Sequence, residues 1–516
     1  MTFSTPFSTV WPAGLALIVL VVSLIIVRRQ IRLPKGWWLI ALAAIVVRLW
    51  VIPALGSHIF DGHEADYWDL FRGVREPTRG GTVMVPAMQW FWWLLGRVLP
   101  NVPAIPVLLM AVVGTASIGL AAGAVGTLTR RRVGWAVALL LVVHPTHAAW
   151  STSAYNVILP HFFGTLALYA VARSASRAGA PGAWGMVSAS AIALSVSLRL
   201  DTATMAIPLL FWALFIRPAG STVVDRLRVW LLPGVVAIVL AALAAWPLVW
   251  PGELPGAGER GLSFAIHWSF FDIYHPFDGL IPATLLLLGL VSAVRAYPRV
   301  VLPLCLLVIT HHLIMATFDD MGERHTLVVL PALLGILCAG WVSIKRAGFL
   351  ALVAASYLLV LDLMDVRERF YGSEADFVKE LSAPPWSDLE RKMWPDEVGD
   401  DCGWVAEDAR VRRGPVASHF NILDPEEEQG LRGLDGCLHW CVDVQDWRWS
   451  SRGVRDRALR LSHLFEMEPA FVVMEPVTGY ACLVMDIGQR MIRAPGDARR
   501  SDGYHEAAKT IDYPIP

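Results

Sequence analysis

Residues 10–35 read VWPAGLALIVLVVSLIIVRRQIRLPK. An apolar run from Val10 to Val27 is followed at once by Arg28, Arg29, Arg32 and Lys35. A hydrocarbon core of ~30 Å asks for about 20 mainly apolar residues per helix, so this run predicts a membrane span. No positive charge precedes it, which sets it apart from a cleaved signal peptide. The cationic cluster behind it predicts a cytoplasmic loop and an outer N-terminus. Similar runs recur at 36–53, 104–127, 133–149, 157–173, 182–198, 202–216, 229–250, 279–294, 299–316, 325–343 and 347–364. The fold class this predicts is a polytopic α-helical membrane protein with about twelve transmembrane helices. Under that count the other basic linkers fall on the same side as the first. They hold Arg130–Arg132, Arg173 with Arg177, Arg217 with Arg226 and Arg228, Arg295 with Arg299, and Lys345 with Arg346.

Composition agrees. The 516 residues are 55% hydrophobic and only 17% charged, against about a quarter charged in soluble domains. A net charge of −1 offers no basic surface for phosphodiester backbones and so argues against nucleic acid as a partner. Twenty-three tryptophans suit two water–lipid interfaces, where amphipathic rings collect. After residue 364 hydropathy falls and charges multiply. The chain is therefore divided into a membrane domain, 1–364, and an extracytoplasmic soluble domain, 365–516, of α+β type. In the second, Phe471–Val473 and Ala481–Val484 read as strands turning at Pro476 and Gly479, and 454–465 has helical periodicity. Four of six cysteines, Cys402, Cys437, Cys441 and Cys482, lie there, an even set suited to disulfides whose pairing the spacing leaves open.

The outer side receives the chemistry. Residues 60–73 read FDGHEADYWDLFRG, bringing four carboxylates and a histidine to the edge of the hydrocarbon, where such groups tend to mark function. Tyr67, Leu70, Phe71 and Val74 follow helical spacing, predicting a short interfacial helix with Glu64 at its start. A second, proline-led aromatic helix is predicted at 86–97, PAMQWFWWLLGR, whose tryptophans read first as membrane anchors. An outer aromatic loop at 261–276 reads equally as a cap over a sugar face or as a segment lying on the membrane.

These stretches resemble the GT-C glycosyltransferases, in particular the group of protein O-mannosyltransferases and lipid A aminoarabinose transferases. The first loop carries the resemblance, and three later stretches add to it in the family's order. They are 144–151 (HPTHAAWS) continuing through 163–169 (FGTLALY), 198–201 (LRLD) followed by Pro208-Leu209-Leu210, and 323–333 (ERHTLVVLPAL). The resemblance implies an enzyme of the outer membrane face that takes a sugar from a polyprenyl-phosphate carrier. It implies transfer, with inversion, to a lipid, glycan or protein acceptor, and residence in a bacterial plasma (inner) membrane. The chain departs from the family at His63, where an aspartate usually stands, and near Asn156, where an acidic residue is common.

A sugar phosphodiester already has a competent leaving group. The enzyme must therefore supply a base for the acceptor and positive charge for the departing phosphate. Glu64 or Asp61 is the candidate base, with His63 itself an alternative and Asp66 a positioning carboxylate; a solvated loop is the competing reading. Arg324, Arg199 and His325 are the candidate phosphate contacts, with His311 and His312 weaker ones. Pairing with Asp201 competes for Arg199, and neutral packing competes for the two histidines. No cofactor is expected. Asp61-x-His63-Glu64 offers ligands for a divalent metal, and His144-x2-His147 is interrupted by Pro145, so an obligatory metal is not favoured. The alternative function is a transporter or flippase of lipid-linked saccharides, which would be expected to show inverted repeats and broken midplane helices. A non-catalytic scaffold would not need the Asp61–Asp66 cluster.

Overall fold

The computed structural model describes residues 10–31, 36–51, 62–77, 85–102, 104–155, 157–175, 181–205, 209, 222–249, 280–315, 326–371, 374–393, 397–398, 402–405, 416–417, 437–442, 467–475 and 480–487. The chain divides into two compact units. The first comprises Met1–Ile52, Leu70–Asn101 and Ile105–Val366; the second comprises Pro53–Asp69, Val102–Ala104 and Arg367–Pro516.

The first unit is helical. Its elements are α1 (Trp11–Val27), α2 (Trp37–Val51), α4 (Pro86–Gly96), α5 (Ala104–Leu128), α6 (Arg131–Val143), α7 (Pro145–Trp150), α8 (Ile158–Ala175) and α9 (Pro181–Leu198). After a 3-10 turn at Leu200–Met205 come α10 (Val223–Val249), α11 (Leu280–Ala296), α12 (Pro298–Met315), α13 (Leu330–Ser343) and α14 (Lys345–Tyr371). Helix α3 (Gly62–Arg72) begins among residues of the second unit and ends in the first. Among the described residues four stretches are long and apolar enough to cross a bilayer: Trp11–Gln30, Ala104–Leu128, Pro181–Leu198 and Lys345–Met364. Shorter apolar helices accompany them, and the protein is a polytopic membrane protein.

Burial explains why α1 and the 347–361 stretch of α14 are apolar on every side. On α1 the stripe Ala16, Leu20, Ser23 and Val27 is buried while Ile18, Val22, Ile25 and Ile26 are exposed. On α14 Ala351, Ala355, Leu359 and Leu363 point inward, and Phe349, Leu350, Val353 and Tyr357 point outward. An exposed aliphatic face of this length suits lipid and not water. Inside the bundle, close approach depends on small residues, because helix association in lipid rests on packing. A Cβ on Gly134 of α6 would lie 2.4 Å from the Ala122 carbonyl of α5. One on Gly340 of α13 would lie 1.8 Å from the Gly289 carbonyl of α11, and Trp341 Nε1 donates to the Leu285 carbonyl across the same crossing at 3.0 Å.

The apolar run at 133–149 is two helices. His144 is extended (φ −67°, ψ 120°), as a residue before proline must be, and Pro145 opens α7. Of the run at 202–216, Thr202–Met205 form a 3-10 turn and the rest, apart from Leu209, lies outside the described residues. Described residues of the basic linkers meet one another or their flanking helices. Arg173 Nη2 donates to the Gln30 carbonyl at 2.9 Å, Trp184 Nε1 donates to Gln30 Oε1 at 2.9 Å, and Gly36 sits against Trp135.

The second unit holds a six-stranded mixed sheet and α15 (Glu374–Leu381), which packs on β6 and buries Phe377 and Leu381. The strands are β1 (Glu390–Met393), β2 (Gly403–Val405), β3 (Val416–Ala417), β4 (Leu438–Val442), β5 (Met467–Glu475) and β6 (Tyr480–Ile487), in the order β1-β5-β6-β4-β2-β3. β5 and β6 form the antiparallel hairpin expected from the sequence, while β1 lies parallel to β5. Phe471, Val473, Cys482 and Val484 alternate onto one face with Trp404 and Cys441, the period of a strand. Disulfides join Cys402 to Cys437 and Cys441 to Cys482, leaving Cys305 and Cys338 as thiols. The predicted helix at 454–465 and the aromatic loop at 261–276 lie outside the described residues.

Candidate functional site

The first-loop helix exists as α3, and it is shorter than the spacing suggested. Gly73 takes a left-handed conformation (φ +74°), the usual helix stop, so Val74 lies beyond the helix and is exposed. Tyr67, Trp68, Leu70 and Phe71 are buried. Phe71 meets Trp92 of α4 edge to face at 6.1 Å, and Gly96 of α4 lies so close to the Phe71 carbonyl that any side chain there would collide. Trp93 carries Arg97 over its ring at 4.7 Å. His63, Glu64 and Asp66 fall in the first turns of α3. Asp61, Asn156, Arg324 and His325 lie outside the described residues.

The described polar groups that come together belong to the first unit, at the end of the bundle away from the basic linkers. The break at His144–Pro145 makes α7 possible, and α7 delivers His147 to Arg48 on the last turns of α2. Arg48 Nη2 donates to His147 Nδ1 at 2.7 Å, and Arg48 Nη1 donates to the Ala44 carbonyl at 2.9 Å. A guanidinium only donates, which makes Nδ1 the acceptor and puts the imidazole proton on Nε2. That proton goes to Ser117 Oγ at 3.0 Å, and Ser117 in turn donates to the Gly114 carbonyl at 2.7 Å. Ser151 Oγ donates to the His147 carbonyl, and His161 of α8 stacks edge-on to His147 at 5.2 Å. Gly114 is required here, since a Cβ would come within 2.2 Å of Ser151 Oγ.

Donors and positive charge are in surplus. Arg48, His147, Ser117 and Ser151 are all fully buried, and Arg48 makes no ion pair among the described residues. Its Nε, with His144 Nδ1, Thr115 Oγ1 and Thr146 Oγ1, has no hydrogen-bond partner among the described residues. A buried cation without a counter-ion is costly and is retained in membranes chiefly where function needs it.

The Arg199 turn joins the same end. Arg199 follows α9 and is buried; its carbonyl accepts from Thr202 Oγ1 at 2.7 Å, shaping the 3-10 turn. Thr204 of that turn hydrogen-bonds Nδ1 of His311, which is fully buried in α12, so His311 packs as a bonded core group. Ser195 Oγ ties α9 to the Pro160 carbonyl at the start of α8, beside His161. These contacts tie His311 to the turn that follows Arg199, His147 to His161, and α9 to the start of α8. Sequence reasoning missed Arg48. The available signal was a lone arginine inside the apolar run 36–53. No group of three or more histidine, cysteine or acidic residues suited to a metal occurs among the described residues.

An oxyanion is what such a set of donors and buried cations stabilises. The chain shares its architecture with ArnT from Cupriavidus metallidurans in the apo state, at TM-score 0.51 and 14% identity, over 87% of this chain and 98% of ArnT. The same protein bound to undecaprenyl phosphate gives TM-score 0.50 and 13% identity, over 89% and 99% of the two chains. By sequence, no family model and no curated protein matches the chain. The likeness is one of fold, shared over nearly the whole length of both chains.

Proposed function

We propose that the protein is a membrane glycosyltransferase that takes a sugar from a polyprenyl-phosphate carrier and transfers it, with inversion, to an acceptor at the outer membrane face. The observation that carries this reading is the fold shared over nearly the whole length of an ArnT whose solved structure holds undecaprenyl phosphate. The ordered sequence motifs and the buried Arg48–His147 cluster support it. Residues 1–364 form the membrane domain and 365–516 an extracytoplasmic domain that approaches the acceptor. The basic linkers at one end of the bundle are the cytoplasmic side, in a bacterial plasma membrane.

In this reading Glu64, or Asp61, takes the acceptor proton as the acceptor oxygen or nitrogen attacks the anomeric carbon. The C–O bond to phosphate breaks, and the lipid phosphate leaves with both electrons of that bond. His63 occupies the place next to Glu64 where a second carboxylate would compete for the proton, and Asp66 orients the acceptor. Arg324, Arg199 and His325 meet the departing phosphate, with Arg48 adding positive potential to the Arg199 end. No metal is required for turnover.

The test is transfer from a radiolabelled polyprenyl-phosphate sugar by purified protein, with chelator present. Replacing the base costs about 10²–10⁴-fold in turnover. Glu64→Gln or Asp61→Asn is expected to show that loss with an unchanged melting temperature. Wild-type turnover in both variants removes the proposed base, and lipid movement across vesicles without sugar transfer replaces the enzyme with a flippase.

A further inference from the structure

At the basic end of the bundle a cavity of about 990 Å³ opens between three helix turns and is lined by Arg130, Arg132, Tyr297, Lys345, Arg346 and Phe349, among others. No acidic residue lines it, and none of the four cations makes an ion pair among the described residues. Three helices begin around it: α6 at Arg131, α12 at Pro298 and α14 at Lys345. Their N-terminal amides add partial positive charge to the four full charges. Arg130 stands at the cap position of α6 and supplies no side-chain cap, so those amides are not satisfied by it.

Lys345 carries one of the four charges on the cavity wall. It is the one non-glycine residue with positive φ (+53°) among the described residues. It follows the end of α13, where the Ile344 amide bonds the Trp341 carbonyl at 3.1 Å, the position at which helices commonly place glycine. An L-residue is less at ease there than glycine. Here the side chain is an ammonium on the cavity wall.

The rim identifies the ligand. Phe349 and Leu350 line the cavity and are both 66% exposed, on the first turns of the 345–364 apolar span. A basic recess that grades within one helical turn into an exposed aliphatic face lies at headgroup depth, where basic pockets between membrane helices take lipid phosphates. We propose that this recess binds the phosphate headgroup of an anionic phospholipid, with Arg130, Arg132, Lys345 and Arg346 on the phosphate and Phe349 and Leu350 along the acyl chains. This site is at the opposite end of the bundle from Arg48 and Arg199 and does not depend on the glycosyltransferase reading.

The experiment uses the full-length protein in nanodiscs of neutral phosphatidylcholine. These are titrated with phosphatidylglycerol or cardiolipin, with further phosphatidylcholine, or with inorganic phosphate, and followed by thermal melting and native mass spectrometry. Anionic lipid is expected to raise the melting temperature and remain bound, with an effect that weakens as salt rises. Arg346→Gln combined with Arg132→Gln should weaken that binding at least tenfold. Lys345→Gly should weaken it several-fold while melting at or above wild type in neutral lipid, because glycine relieves the positive φ. The proposal is overturned if anionic lipid binds no better than phosphatidylcholine, or if the variants bind it as wild type does. Inorganic phosphate stabilising as strongly as the lipid would also overturn it, in favour of a free-anion site.

Discussion

Replacing Gly340 by alanine tests how the bundle is held together. A Cβ at this position of α13 would sit 1.8 Å from the Gly289 carbonyl oxygen and 2.9 Å from its Cα. Carbon–oxygen contacts settle at about 3.3 Å, so α11 and α13 must part locally by about 1.5 Å. The obstacle is backbone, and no side chain can rotate away from it. Parting also stretches the Trp341 Nε1 bond to the Leu285 carbonyl, now 3.0 Å, beyond useful length. Overpacking of this kind costs about 1–3 kcal/mol, and the lost bond adds about 1 kcal/mol. Better helix propensity returns about 0.5–1 kcal/mol. The net is a loss of about 1–3.5 kcal/mol, which at ~2–4 °C per kcal/mol for large domains lowers the melting temperature by about 2–14 °C. Gly14→Ala is the matched control, because nothing lies within 4 Å of a Cβ there, and it should melt at or slightly above wild type. Melting of purified protein in one detergent, followed by tryptophan fluorescence, reads both. Gly340→Ala melting within about 1 °C of Gly14→Ala would refute the crossing. The same displacement would draw Tyr297, just past α11, away from Lys345, just past α13, so the variant should also lose anionic-lipid stabilisation.

Arg48→Met keeps the volume and removes the charge. It forfeits two hydrogen bonds, but it also removes a buried cation whose desolvation costs several kcal/mol. Melting is expected to hold or rise while sugar transfer falls at least tenfold; a clear drop in melting temperature would show the charge to be compensated. Thiol alkylation under denaturing, non-reducing conditions should label Cys305 and Cys338 alone, with reductant exposing four more. The Cys402–Cys437 bridge spans 35 positions, a loop whose closure stabilises by about 3–4 kcal/mol on chain-entropy grounds. Cys402→Ser with Cys437→Ser should therefore lower the melting of the C-terminal unit, and equal melting would count against the bridge.

The helices were legible because apolar length and proline position are local properties. α1, α2, α5, α9 and α14 match their runs to within a few residues at most of their ends, and Pro86 marks the start of α4 as its residue type suggests. α3 was legible from Glu64 to Phe71, and its end was misjudged because apolar periodicity continued through Gly73 to a residue that faces solvent. The strands β5 and β6 were visible as short alternating runs, whereas β1, four residues long and mostly polar, was not. What the sequence hid is long-range. Arg48 and His147 are 99 positions apart, and no window reading one apolar run reports which helix will face it. The break at His144 was hidden for another reason: apolar residues continue on both sides of Pro145, and only the backbone shows that one run has become two helices.

The strand order has a consequence for how the C-terminal unit comes into being. The middle of its sheet is occupied by β5, β6, β4 and β2, with β1 and β3 at its edges, and β1, β2 and β3 are all made before the central pair β5 and β6. β1 waits for β5, whose partner residues come about 80 positions later in the chain, and parallel pairing over such a separation is slow. Until β5 has been made β1 has no strand to pair with, and until β6 has been made that pair cannot join β4, β2 and β3. Assembly of this unit is thus an event that follows synthesis and does not accompany it, and a nascent chain halted anywhere before β6 carries strands with unsatisfied edges.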